Sequence, residues 1–306
     1  MTALYPGAPT VLHTGAVDAS PPPGAGEREP MHLGVSQVLI AVALLIGWFL
    51  LYLFVFSGIE QGHAQSELYE EIRTELAEGT APTGAPIAAG SPVAVLSIPG
   101  AGIDDLVVVE GTRPAQLQDG PGHSLGSVLP GQRGVSVIAG RSLSFGAPFA
   151  SIADLPYGAP IVVTTGQGSF AYEVVSVRTQ GDPVPAAPPA DGSRLTLVTS
   201  ERGSGIGGLQ ATQKLFVDAV LTDGAVAAGP RATTDVGVPL MSGGLDTTTL
   251  ALLALSLQVL VLAVVGFVWS WLKWSRSAAW IAVGPCVLAA LWLVSSIGTR
   301  LLPGLI

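Results

Sequence analysis

The chain has one cysteine, Cys286, in 306 residues. That excludes an intramolecular disulfide, a four-cysteine zinc site and an iron–sulfur cluster held by this chain alone. Charge is scarce at 11%, and basic residues are the minority: 13 Lys and Arg against 22 Asp and Glu, a formal net charge of -9. A basic nucleic-acid surface is therefore excluded. What is abundant is apolar: 49% of residues are hydrophobic, with 39 Gly and 24 Pro punctuating them. Such a balance points to a membrane protein.

Three apolar segments fix the expected topology. Val35–Phe56 is uncharged and as long as a spanning helix requires, about 20 residues. Trp48 and Tyr52 lie toward one end, where interfacial aromatics sit. The run starts too late and is too long for a cleaved signal peptide, so a retained anchor is expected. Thr247–Leu272 and Ala278–Ile297 form a second and third span, joined by a loop holding Lys273 and Arg276. Positive charge in a short loop marks the cytoplasmic side. Residues before Val35 and the loop are then inside, and the segment between the first two spans is outside. Pro285 implies a kink in the third span, and Gln258 a bond between helices in the second. No ionisable residue interrupts the spans, so no ion path through this chain is expected.

The resulting partition is a disordered cytoplasmic tail (1–34), a first span (35–57), an acidic helical stalk with a Pro/Gly linker (58–92) and an outer domain (93–223). A second linker (224–245), a second span (246–272), a cytoplasmic loop (273–277), a third span (278–298) and a short outer tail (299–306) follow. The stalk carries Leu68, Ile72 and Leu76 at helical spacing among the five glutamates of residues 67–78, and is read as a solvated helix. In the outer domain, seven segments alternate as strands do: Val93–Ile98, Leu106–Val109, Val135–Ala139, Ile161–Thr165, Ser169–Val177, Arg194–Thr199 and Lys214–Leu221. Short strands with Gly and Pro turns imply a sandwich or a barrel.

Particular words in these segments say more. Ser97-Ile98-Pro99 followed by Ile103, then Val109-Glu110-Gly111-Thr112, Gly120-Pro121-Gly122-His123 and Leu129-Pro130-Gly131 occur in order. Val137-Ile138-Ala139-Gly140 runs into Arg141, Phe145–Phe149 follows, and Leu195–Thr199 runs into Ser200. This succession resembles the sortases, cell-surface cysteine transpeptidases of Gram-positive bacteria, and most of all the actinobacterial class E type. The resemblance implies a mainly β fold: a sortase-like eight-stranded barrel, here carrying one N-terminal and two C-terminal transmembrane helices.

The resemblance also implies which chemistry is missing. Arg141 stands where the family has its His, Ser200 where it has its Cys, and Lys214 where it has its Arg. A thiol reaches its nucleophilic form near neutral pH, whereas a hydroxyl needs an adjacent base. Arg141 cannot be that base, because a guanidinium stays protonated. His123 matches the family's non-catalytic "G-P-G-H" position. Lys214 is the remaining candidate, since a desolvated lysine can deprotonate a serine. Glu201 and Arg202 adjoin the site and, with Arg141, Ser200 and Lys214, complete the set of groove or ligand candidates.

Other signals carry less. Gly203–Gly208 is glycine-rich but lacks the Lys-Ser/Thr ending of a phosphate loop. Asp104, Asp105, Glu110 and Asp119 show no ligand spacing for calcium. Neither a cofactor nor a metal is expected. Cys286, deep in an apolar span, is not expected to be reactive. The expectation is a pseudoenzyme in the lipid bilayer, whose helices dock to other membrane proteins and whose groove accepts an extended peptide or an anion. A serine-dependent transpeptidase or peptidase and a purely structural membrane subunit are the alternatives.

Overall fold

The structure, a computed structural model, describes residues 29–201, 213–229, 247–274 and 276–302. The chain divides into two units, Met1–Gly47 and Trp48–Ile306. Helix α1 (Glu29–Leu51) opens with Pro30 in its first turn, where a missing N–H leaves no bond unmade. It begins six residues before the apolar run, so 29–34 are helical rather than part of a disordered tail; residues 1–28 lie outside the described ones. A π-helical turn, Tyr52–Phe56, leads directly into α2 (Ser57–Glu78), which ends on left-handed Gly79.

Ser36–Glu78 and helix α4 (Thr247–Lys273) are each long and apolar enough to cross a membrane. Helices α5 (Arg276–Ala282) and α6 (Gly284–Thr299) are bent by 46° and make a third candidate span if taken together. The expected kink is present, at Val283, with Pro285 in the first turn of α6. Gln258 is exposed on α4, and the expected cross-helix bond is not formed among the described residues.

The outer domain is a closed barrel of eight strands in the order β1-β2-β3-β4-β7-β8-β6-β5. They are β1 (Pro92–Ile98), β2 (Ile103–Glu110), β3 (Gly122–His123), β4 (Gly134–Ala139), β5 (Pro160–Thr165), β6 (Gly168–Thr179), β7 (Ser193–Ser200) and β8 (Lys214–Leu221). Seven match the expected segments to within a few residues, and β3 is the eighth. Alternation fills the barrel: along β6, Phe170, Tyr172 and Val174 point inward between exposed neighbours. Strand β7 is buried at every position. Its inward side chains, Leu195 and Leu197, join the barrel core. On its other face Val198 packs with Ala139 and with Leu117 of a short helix, α3 (Gln116–Asp119).

The acidic helix is not a solvated stalk. Ile72, Gln61 and Ser57 are buried, and Gln65 docks α2 on the barrel. The Gln65 amide accepts from Val107 N–H at 2.8 Å and donates to the carbonyls of Val107 at 3.1 Å and Asp119 at 2.8 Å. Strand β3 pairs β2 only at Val109 and Glu110, so Val107 lacks a strand partner there and the side-chain amide serves instead.

Both linkers are fastened as well. Buried Gln132 donates to the Thr83 carbonyl and to Gln167 Oε1, each at 2.8 Å, and accepts from Gly229 N–H at 3.3 Å. Arg133 N–H donates to the Val226 carbonyl at 2.9 Å. The incoming and outgoing segments thus meet at the start of β4.

Candidate functional site

The candidate residues gather at the opposite end of β4. Strand β4 runs parallel to β7 with Ala139 beside Val198, and β7 runs antiparallel to β8 with Ser200 beside Lys214. Gly140 N–H donates to the Val198 carbonyl and Thr199 Oγ1 to the Gly140 carbonyl, both at 2.9 Å, so the pairing continues past the strand end. Arg141, Ser200 and Lys214 therefore occupy one edge of the barrel, from three strands. Lys214 leaves the sheet on the same face as Ser200, as directly opposed residues do. Glu201 continues β7 and donates its N–H to the Gln213 carbonyl at 2.9 Å. Arg202 and Gly203–Gly208 lie outside the described residues.

Ser200 is buried, and its hydroxyl meets the Ser142 hydroxyl at 2.5 Å. Ser142 is a site residue that the sequence alone did not single out. It stands beside Arg141, but no spacing rule links it to a residue 58 positions away.

Arg141 is the largest fully buried side chain. Its Nε donates to the Leu117 carbonyl at 2.9 Å, Nη1 to Ser144 Oγ at 3.1 Å and Nη2 to the Pro114 carbonyl at 3.2 Å. The guanidinium lies over the Phe145 ring, 4.8 Å from its centroid. Burial lowers its pKa to about 10, with Tyr52 pushing the other way. At neutral pH it stays a cation, and these three acceptors are neutral. It braces the turn that precedes α3.

The loop after Arg141 is folded tightly. Phe145, Gly146 and Ala147 have φ of 50°, 70° and 46°, the left-handed region that non-glycine residues rarely adopt. Contacts hold it there. Phe145 N–H donates to Ser57 Oγ at 3.0 Å, and Ser57 in turn donates to the Leu53 carbonyl at 2.6 Å. Gly140 accommodates Phe149, since a Cβ on it would lie 2.5 Å from that ring. The site edge is thus joined to the start of α2, where the first apolar helix ends. A cleft of about 320 Å³ runs between this loop, Gln61 and the turn at Gly102–Asp104.

His123 belongs elsewhere. Its Nδ1 is 2.8 Å from Glu110 Oε2, and its Nε2 is 2.9 Å from the Val128 carbonyl and 3.0 Å from Ser127 Oγ. All four groups hold β2, β3 and the following loop together, so His123 is not placed as a base for Ser200. Cys286 is exposed on α6.

The sortase domain family model matches residues 96–222. Those residues form a sortase-family domain. The sortase match ends one residue beyond β8 and leaves out α4, α5 and α6. Among solved structures, the chain is similar to the sortase D5 transpeptidase of Clostridium perfringens, with 23% identity over 53% of this chain and 99% of that one, at a TM-score of 0.44. Sortase E of Streptomyces avermitilis is 25% identical over 45% of this chain and 92% of its own, at 0.37. Sortase A of Corynebacterium diphtheriae is 23% identical over 56% and 86%, at 0.38. No curated protein matches the chain.

Two residues outside the sortase-like motifs tie the site edge to the last helix. Gln118 of α3 donates to Thr299 Oγ1 at 2.9 Å and to the Ser296 carbonyl at 3.1 Å, and accepts from Arg300 Nε at 3.2 Å. Glu60 of α2 accepts from Tyr52 Oη at 2.5 Å and from Ser296 Oγ at 3.4 Å. The end of α6 is thereby clasped to the same turn that Arg141 braces.

Proposed function

We propose that this protein is a catalytically inactive sortase-fold membrane protein, working as a binding or scaffolding subunit of a membrane complex in the cell envelope. One observation carries the reading: Arg141, at the position where the family places its histidine, spends its guanidinium on Leu117, Pro114 and Ser144. A group so enclosed holds the fold and moves no proton. The three apolar helices anchor the chain in the bilayer. Lys273 and Arg276 between the last two favour a cytoplasmic loop, an inner N-terminus and an outer barrel. The ligand at the site edge would be an extended segment or an anion, drawn by Lys214 and by Arg202.

The test is recovery of the full chain from native membranes in mild detergent, with quantification of what accompanies it. A membrane protein in stoichiometric amount is expected, and the absence of one overturns the subunit role.

The second reading is a serine-dependent transpeptidase or peptidase using Ser200 and Lys214. The register of Lys214 with Ser200, and the Ser142 hydroxyl beside it, favour this one. It requires turnover of a labelled sorting-type peptide, in the presence of an amine acceptor, that disappears in Ser200→Ala. No turnover by either form supports the inactive reading.

A further inference from the structure

Helix α4 packs against α6 through one face. At 100° per residue, Leu253, Ser256, Leu260, Ala263 and Phe267 fall on a common side, and all are buried or half-buried. Gln258 points the opposite way and is exposed. It is the twelfth of 27 residues, about 17 Å along the helix from its start, and so lies close to the middle of a hydrocarbon layer about 30 Å thick. No hydrogen bond reaches its side chain among the described residues. An unsatisfied amide there is costly, because lipid offers neither donor nor acceptor.

We propose that α4 pairs with α4 of a second copy of this chain, parallel and about a two-fold axis, with the two Gln258 amides bonded to each other. The proposal rests on α4 crossing a membrane, as its length and composition indicate. Three features select a second copy over a different helix. A glutamine amide carries both donors and an acceptor and is therefore complementary to itself. Two copies inserted the same way place Gln258 at equal depth, as an isologous interface needs. On the same face, one and two turns before Gln258, Ala254 and Ala251 are exposed and small enough for the backbones to approach closely.

Disulfide trapping of the full chain in membranes tests this. In a Cys286→Ala background, single cysteines are placed at Ala251, Ala254 and Val265 on the Gln258 face, and at Ser256 and Ala263 facing α6. Covalent dimers are expected from the first three and not from the last two. Adding Gln258→Leu, which a membrane helix accommodates, is expected to weaken dimerisation about 3- to 30-fold, the span of an interhelical hydrogen bond. Gln258→Asn should keep most of it. Equal trapping at all five positions, no trapping, or trapping unchanged by Gln258→Leu overturns the pairing. A separate probe isolates the premise. Labelling of the Gln258→Cys variant by a membrane-impermeant maleimide would overturn the membrane span itself, whereas protection of that thiol without trapping overturns only the pairing.

Discussion

Gln118 and Thr299 are separated by 181 positions in sequence, and their side chains are hydrogen-bonded at 2.9 Å in a buried contact. The barrel and the last helix are therefore joined directly, and not only through the linker between them. Gln118→Ala removes three bonds; the Ser296 carbonyl keeps its bond from Thr299 Oγ1, but Arg300 Nε loses its Gln118 acceptor. A loss of about 1–3 kcal/mol at this joint is expected. Hydrogen exchange on the full chain in detergent should show faster exchange at Gln116–Gly120 and at Ser296–Arg300, with β5 and β6 unchanged.

Arg141→Ala should destabilise the barrel strongly. It strips a fully buried side chain and leaves the Leu117 and Pro114 carbonyls unbonded, which is expected to cost about 3 kcal/mol or more. Arg141→His, the residue that the sortase motif carries there, cannot span all three acceptors and should restore little of that loss. Denaturant titration of the full chain, followed by circular dichroism of the β signal, reads both.

Asp119 sits at the joint, where burial pushes its carboxyl pKa up, against a downward pull from Arg300 and with a further push from Glu60. The folded value is above the unfolded one, so the folded state binds the extra proton. The charged carboxylate therefore costs stability above the folded pKa. That cost fades as pH falls from the raised value to the ordinary carboxylate value. Asp119→Asn should raise the melting temperature at pH 7, and the difference should shrink toward zero near about pH 4, the ordinary carboxylate range.

Asp218 is fully buried, bonded to Arg178 Nε and Thr196 Oγ1 at 2.7 Å each, with Arg194 Nε at 4.0 Å. Asp218→Ala leaves two mostly buried guanidinium groups without their carboxylate, and a loss of about 3–5 kcal/mol is expected. Arg194 also holds the carbonyls of Pro185 and Ala186 at 3.1 and 2.7 Å. Proteolysis within residues 180–192 should therefore accelerate in the same variant.

Where the sequence was readable, the reason is periodicity. Seven strands alternate or run apolar between turn residues, and their positions agree closely with the barrel. Strand β3 escaped because Gly122 and His123 are too few to show any period. The docking of α2 escaped for a different reason. Its anchors, Gln61 and Gln65, are polar, and the partners of Gln65 are backbone groups left open by an irregular strand pairing. The motifs matched Arg141, Ser200 and Lys214 to three family positions, but that they share one edge is read only from the strand register. The direction of the Arg141 side chain was not legible either, since the carbonyls that hold it belong to residues 24 and 27 positions earlier. Ser142 was hidden by the same limit: a contact between a loop residue and a distant strand end leaves no spacing to detect.

The knot at Gln132 has a mechanical meaning. The chain enters and leaves the barrel at one point, about 20 Å along β4 from the Arg141 end. Tension between the segments at Thr83 and Gly229 falls on the bonds that Gln132 makes to both, and bypasses the strands between them. Drag on the first membrane helix meets the α2 contacts at Ser57 and Gln65 before it reaches that clasp, so the clasp guards the barrel only against pull that has already passed them.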